Sequence, residues 1–144
     1  VRDAKIPMVM VREGGLAAVF TTAGRFQLPR DARVVLGEDH PFAEQVAEDL
    51  VTLAHHPHAG NFVLLGLQPG KPYVTFAVEN GSHAGPGPQE THGFIMLPPG
   101  LDIPELEKGY LRPEDIYHAA MRAQRHFREE ELAGASGEPA AAAV

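Results

Sequence analysis

Residue types able to do chemistry collect in one Gly/Pro-rich stretch, Val74-Thr-Phe-Ala-Val-Glu-Asn80-Gly-Ser-His83-Ala-Gly-Pro-Gly-Pro88-Gln-Glu90-Thr-His92-Gly93. His83 follows a β-prone run and a Gly-Ser step, which holds its imidazole close to the backbone. Neutral imidazole is the commonest metal ligand, and the plainer role for such a side chain is a hydrogen-bonded loop histidine. Glu90 and His92 form either an acid/base pair or a carboxylate orienting a metal-binding ring. Lying two residues apart in a loop, they fit a solvated role equally well. The glycines match neither the dinucleotide fingerprint nor a phosphate loop, since no Lys-Ser/Thr step follows them. No strand–turn–helix serine motif is present.

The other concentration of imidazoles is His55, His56 and His58. Successive helical residues diverge by about 100°, and Pro57 interrupts the helix between the pair and His58. The favoured reading is therefore capping of the carbonyl end of a helix, where positive charge is welcome.

These loops need rigid elements behind them. Pro7–Val11 and Leu16–Thr22 flank a Gly-Gly turn and read as a β-hairpin. Arg25–Pro29 reads as extended, and Arg33–Leu36 as another short strand. Asp39-His-Pro-Phe42 opens a helix with Pro41 in its first turn. Phe42, Val46, Leu50 and Leu53 form its apolar stripe, and it ends near His55-His-Pro57. Asn61–Leu67 is expected as a strand buried on both faces, with Tyr73–Val78 as its hairpin partner and Gly93–Leu97 as a further strand. A last helix starts at Arg112-Pro113 with acidic residues in its first turn and a stripe of Ile116, Ala120, Ala123 and Phe127. Arg122, Arg125 and Arg128 read as its exposed, dipole-favoured face. The expected class is α/β or α+β: one domain or domain fragment over 1–132, with a short mixed sheet packed by two main helices. Residues 133–144, rich in Ala and Gly, read as a disordered tail.

Bulk properties narrow the partners. The 144 residues carry 12 Lys and Arg against 19 Asp and Glu, a net charge of −7. That balance argues against a nucleic-acid or anionic-membrane surface, since both need a positive face. There is no cysteine, so thiolate metal sites and disulfides are excluded and a cytoplasmic, reducing setting is expected. No apolar run reaches membrane-spanning length, and the first residues lack the build of a signal peptide. Because the chain opens on Val1 rather than Met, a portion of a longer protein is expected.

Asn80-Gly-Ser-His83-Ala-Gly85, then Gln89-Glu-Thr-His-Gly-Phe94 and an apolar run to Pro98, resembles the C-terminal part of the alkaline phosphatase superfamily. The likeness is nearest to its type I phosphodiesterase/nucleotide pyrophosphatase-like branch. Gly37–Phe42, Leu53–Phe62 and Ile6–Arg12 extend it backward, so it covers about residues 5 to 100. The resemblance implies hydrolysis of phosphate esters by two metal ions, usually zinc, beside a Ser or Thr nucleophile. Two metals suit in-line displacement because they stabilise attacking and leaving oxygens together. His83 matches the metal-ligand histidine of the family's late Gly-x-His loop, with Ala84 where the family has glycine. Asp39-His40 is followed by Pro41 where the family's Asp-His-Gly step has glycine, so no ligand role is carried there.

One ligand does not make a two-metal site. The expectation is a C-terminal portion of a metal-dependent phosphodiesterase or phosphatase-like hydrolase, inactive alone. Its divalent metal, zinc, would be held only in the complete protein, with an upstream catalytic portion as partner and a phosphate ester as substrate. The alternative is a non-enzymatic binding or oligomerisation domain on the same scaffold, for which homo-oligomers are expected from exposed strand edges. A third reading is a small enzyme centred on His83, Glu90 and His92.

Overall fold

The chain first reverses at Gly14-Gly15. In the computed structural model, which describes residues 5–75, 85–97 and 103–136, that reversal makes the expected hairpin. β1 (Met8–Glu13) pairs antiparallel with β2 (Leu16–Thr21), Glu13 lying opposite Leu16. Gly14 has φ +59°, the left-handed value required by two-residue turns whose twist matches that of the flanking strands. β3 (Arg25–Leu28) adds beyond β2, in agreement with the extended reading of that stretch. Two helices then cross one face of the sheet, α1 (Ala32–Leu36) and α2 (Ala43–His55). The chain returns as β4 (Val63–Leu65), antiparallel to β1, to give the order β3-β2-β1-β4. The helix-and-sheet class is as expected, and every described strand pair is antiparallel.

Strand alternation sets the core. Met8, Met10, Ala17, Val19 and Leu28 point to one face and are buried with Ala32, Val35 and Leu36 of α1 and Ala43, Ala47, Leu50 and Ala54 of α2. Residues between them in the strands face the other way, so Val9, opposite Phe20 and Leu64, is only half-buried.

Several local expectations are corrected. Arg33–Leu36 is helical, not a strand. Asp31 accepts a hydrogen bond from the Gln27 N–H at 2.8 Å and turns the chain after β3. The buried residues that follow, Ala32, Val35 and Leu36, then fall at helical spacing. α2 begins after Pro41 rather than including it. Its sheet-facing stripe is Ala43, Ala47, Leu50 and Ala54, one position round from the larger residues Phe42, Val46 and Leu53. Small side chains let the helix lie close to the sheet, and Leu53 is left 47% exposed.

The strand expected over Asn61–Leu67 shortens to Val63–Leu65, and it is not buried on both faces, since Leu64 is 55% exposed. A continuous apolar run fits an edge strand with one open face as well as a central one, and among the described strands β4 lies at the end of the sheet. The turn at Pro69–Pro72 forms, with the Lys71 N–H donating to the Gln68 carbonyl at 3.0 Å. Past it, the described part of the expected partner strand makes one bond, from the Val74 N–H to the Gly66 carbonyl at 3.0 Å. Residues 76–78 of that strand lie outside the described residues.

The chain divides into two compact units, Val1–Gly93 and Phe94–Val144. In the second, residues 94–97 form no strand, and Phe94 is 90% exposed. Four apolar residues between Gly93 and Pro98 carry no period that separates strand from extended coil. A 3-10 turn (Pro104–Lys108) precedes α3 (Pro113–Ser136), which runs through residues 133–136 that composition assigned to a tail. Residues 137–144 lie outside the described residues.

α3 starts at Pro113 as expected. Its Asp115 carboxylate accepts the Arg112 N–H at 2.9 Å and pairs with Lys108 Nζ at 3.0 Å. Among the described side chains of α3, Asp115 and Ala119 are the buried positions, whereas Ile116 and Phe127 of the expected stripe are exposed. Arg122 is no free surface cation: it forks onto the Glu105 carboxylate at 3.0 and 2.7 Å. Among the described residues no helix is long and apolar enough to cross a membrane.

Candidate functional site

His83, the principal candidate, lies with Gly81, Ser82 and Ala84 outside the described residues. The stretch that follows is described, and it is held from two sides. Gly85-Pro-Gly-Pro88 contains two prolines, so half of its residues have no N–H to donate. It leads into a single 3-10 turn, Pro88–Thr91. That turn is closed by the Glu90 N–H donating to the Gly87 carbonyl at 3.0 Å and by Thr91 Oγ1 donating to the Pro88 carbonyl at 2.7 Å.

The first hold is His40, a residue 2% exposed. Its Nδ1 accepts the Phe42 N–H at 3.0 Å, and its Nε2 lies 3.0 Å from the Pro86 carbonyl oxygen, across 46 residues of sequence. An acceptor at Nδ1 and a carbonyl partner at Nε2 fit one tautomer, the neutral ring with its proton on Nε2. His40 itself is placed by the Gly37 carbonyl, which accepts its N–H at 3.2 Å after α1 ends.

The second hold is Tyr73. A β-carbon on Gly87 would fall inside the phenol, within 3.1 Å of Tyr73 Cε1 and closer still to Cζ and the hydroxyl. Glycine is therefore required there by close approach. The phenolic oxygen is buried without a hydrogen-bond partner. Burial raises the Tyr73 pKa above its ordinary value, and the nearby Glu90 charge adds to the rise. The Glu90 carboxylate also borders Gly85, where a β-carbon would sit 3.1 Å from Oε2.

Glu90 is thus turned toward Gly85 and Tyr73. His92 follows the turn, exposed, and no described hydrogen bond joins it to Glu90. The His55–His58 imidazoles do not cap the last carbonyls of α2 as expected. His55 Nε2 lies 3.0 Å from the Leu16 carbonyl oxygen on β2, and His56 Nδ1 accepts the His58 N–H at 3.2 Å. The His55 and His56 rings thus take main-chain partners elsewhere, and α2 closes through the His56 N–H bonded to the Leu53 carbonyl at 3.1 Å.

Sequence reasoning gave His40 no ligand role and placed Tyr73 only at the start of a strand, and it assigned neither to the hold on this turn. A buried imidazole bridging two backbone groups leaves little trace in sequence beyond a histidine just before a proline and a helix start. A carbonyl acceptor such as Pro86 leaves none.

Among the described residues no three His, Asp or Glu side chains gather so as to hold a metal ion. The described residues therefore do not fit a complete zinc site, and no chemical step follows from them. What they do is fix the backbone of a turn by two independent contacts. Comparison with protein-family models, curated proteins and solved structures finds no match to this chain.

Proposed function

We propose that this chain is the portion of a metal-dependent phosphoester hydrolase that presents one ligand histidine, His83, and that it does not hydrolyse phosphoesters alone. The observation that carries the reading is the doubly held turn immediately after the Gly-Ser-His step. His40 bonds the Pro86 carbonyl and Tyr73 fills the notch at Gly87. A loop that only joins two elements needs neither contact. A loop that presents a ligand needs a fixed root, because a displacement of about 1 Å disables a functional site.

Zinc, when bound in such a site, supplies charge that stabilises the attacking and leaving oxygens of the phosphoryl group. This chain's contribution is to hold an imidazole where the metal can use it. The test is calorimetric titration of the full chain with zinc, alongside turnover of an aryl phosphodiester in zinc or manganese. A complete site needs the upstream portion, so the reading expects no turnover and only weak zinc binding through the lone ligand. That binding weakens by roughly 10-fold or more in His83→Ala, since even loss of an outer-shell partner costs that much. Zinc binding identical in His83→Ala removes His83 from the site. Turnover by the chain alone overturns the incompleteness.

A second reading, a non-enzymatic binding or self-associating domain, draws on the open face of β4, where Leu64 and the preceding Phe62 are 55% and 67% exposed. Edge strands of this kind pair with other chains. Phe62→Lys would then abolish concentration-dependent association, measured by sedimentation, while leaving zinc affinity unchanged.

A further inference from the structure

The imidazole of His40 has both nitrogens engaged by main chain, so it is available neither as a metal ligand nor as a general base. Its two bonds join parts of the molecule that no strand pairing among the described residues connects: the start of α2 at Phe42 and the Gly/Pro turn at Pro86. Pro86 and Pro88 leave Gly85 and Gly87 as the N–H donors of that tetrapeptide. A segment so poor in donors cannot secure itself by a ladder, and a bond received from outside counts for correspondingly more.

We infer that His40 is a positioning residue: it fixes the exit of the His83 loop against the start of α2, with the Tyr73 phenol seated on Gly87 as the opposing hold. The bearing of this on metal binding rests on the reading of His83 given above. The positioning itself has a separate readout. Its value lies in the bridge, because the Phe42 bond alone would only organise α2 and the Pro86 bond alone would have no fixed origin.

Two variants cut the bridge at different ends. The side-chain oxygen of His40→Asn falls where Nδ1 was and keeps the Phe42 bond, but the side chain is too short for Pro86. His40→Gln carries an amide nitrogen near the former Nε2 and keeps the Pro86 bond. Amide hydrogen exchange reads the two ends separately, at Val46 for α2, whose N–H donates to the Phe42 carbonyl, and at Glu90 for the turn, whose N–H donates to Gly87.

In His40→Asn, Glu90 exchange is expected to accelerate roughly five- to tenfold, the equilibrium worth of one hydrogen bond, with Val46 unchanged. In His40→Gln, Glu90 protection is expected to be retained. Glu90 exchange unaltered in His40→Asn, or moving in step with Val46 in both variants, overturns the positioning role. Zinc titration of His83→Ala separates the two claims. Unchanged zinc affinity there defeats the ligand reading and leaves the exchange result standing.

Discussion

Tyr73 and Gly87 depend on each other at the level of single atoms. The phenol occupies the space a side chain at 87 would need, and its oxygen is buried without a partner. Gly87→Ala must therefore expel the ring, at a cost of about 1–3 kcal/mol, the range for overpacking a filled site. Urea denaturation of the variant measures this, and an unchanged midpoint would show that the notch does not bind the ring.

The same contact sets a pH dependence. Burial and the Glu90 charge raise the Tyr73 pKa, so the folded state holds that proton more tightly than the unfolded state. The associated stability is complete below the unfolded value of about 10 and is lost as pH rises through the folded value. Phenolate absorbance should show one of the three tyrosines ionising late, and Gly87→Ala should bring it back to the ordinary range. An absorbance titration identical in the two proteins contradicts the placement of the phenol. At the acid end, Asp31 is pushed down to about 2 by its Arg30 and Gln27 hydrogen bonds, so the β3–α1 turn keeps its carboxylate charged through most of the acid range.

Among the elements, the turn after β4 brings backbone close against backbone. A β-carbon at Gly66 would overlap the Val74 carbonyl oxygen and lie 2.9 Å from its carbon. Backbone cannot swing aside as a side chain can. Gly66→Ala should therefore lose about 1–3 kcal/mol and expose the Val74 amide to exchange, and a fully protected Val74 amide in that variant rules out the close approach.

α3 is set by its first turn. Asp115 accepts the Arg112 N–H and faces Lys108, and both partners lower its pKa, the backbone bond most. A depressed carboxylate contributes above its unfolded value, about 3.9, and that contribution is lost as pH falls through the folded value. Helicity followed by circular dichroism should drop as pH falls below about 4, and Asp115→Asn should remove that acid step. A step of equal size in the variant assigns it elsewhere.

The elements legible in sequence were those with turn chemistry or long periodicity: the Gly14-Gly15 hairpin, the extended β3 and the two longer helices. Arg33–Leu36 was illegible because four β-prone residues after a turn carry no period of their own. The buried side of α2 was misjudged because the larger apolar residues marked a neighbouring face, while alanines made the contact.

Across the whole molecule, the small antiparallel sheet with helices on one face builds a platform in the first unit, and the Gly/Pro turn is tied to it by His40 and Tyr73. Sequence located the loop, because Gly, Pro and His cluster there. It did not show what holds the loop, since His40 and Pro86 stand 46 positions apart and the acceptor is a main-chain oxygen. The helix-and-sheet class followed from simple patterning, whereas the holds on the turn depend on tertiary packing.

The central claim is that this platform serves to present His83 to a metal. The most direct measurement is a zinc titration of the full chain followed through its imidazole resonances. The prediction is that the His83 ring shifts at the lowest zinc concentration, ahead of the exposed His56, His58 and His92, while His40, engaged at both nitrogens, does not respond. Zinc perturbing the His56–His58 rings first, with His83 silent, would contradict it.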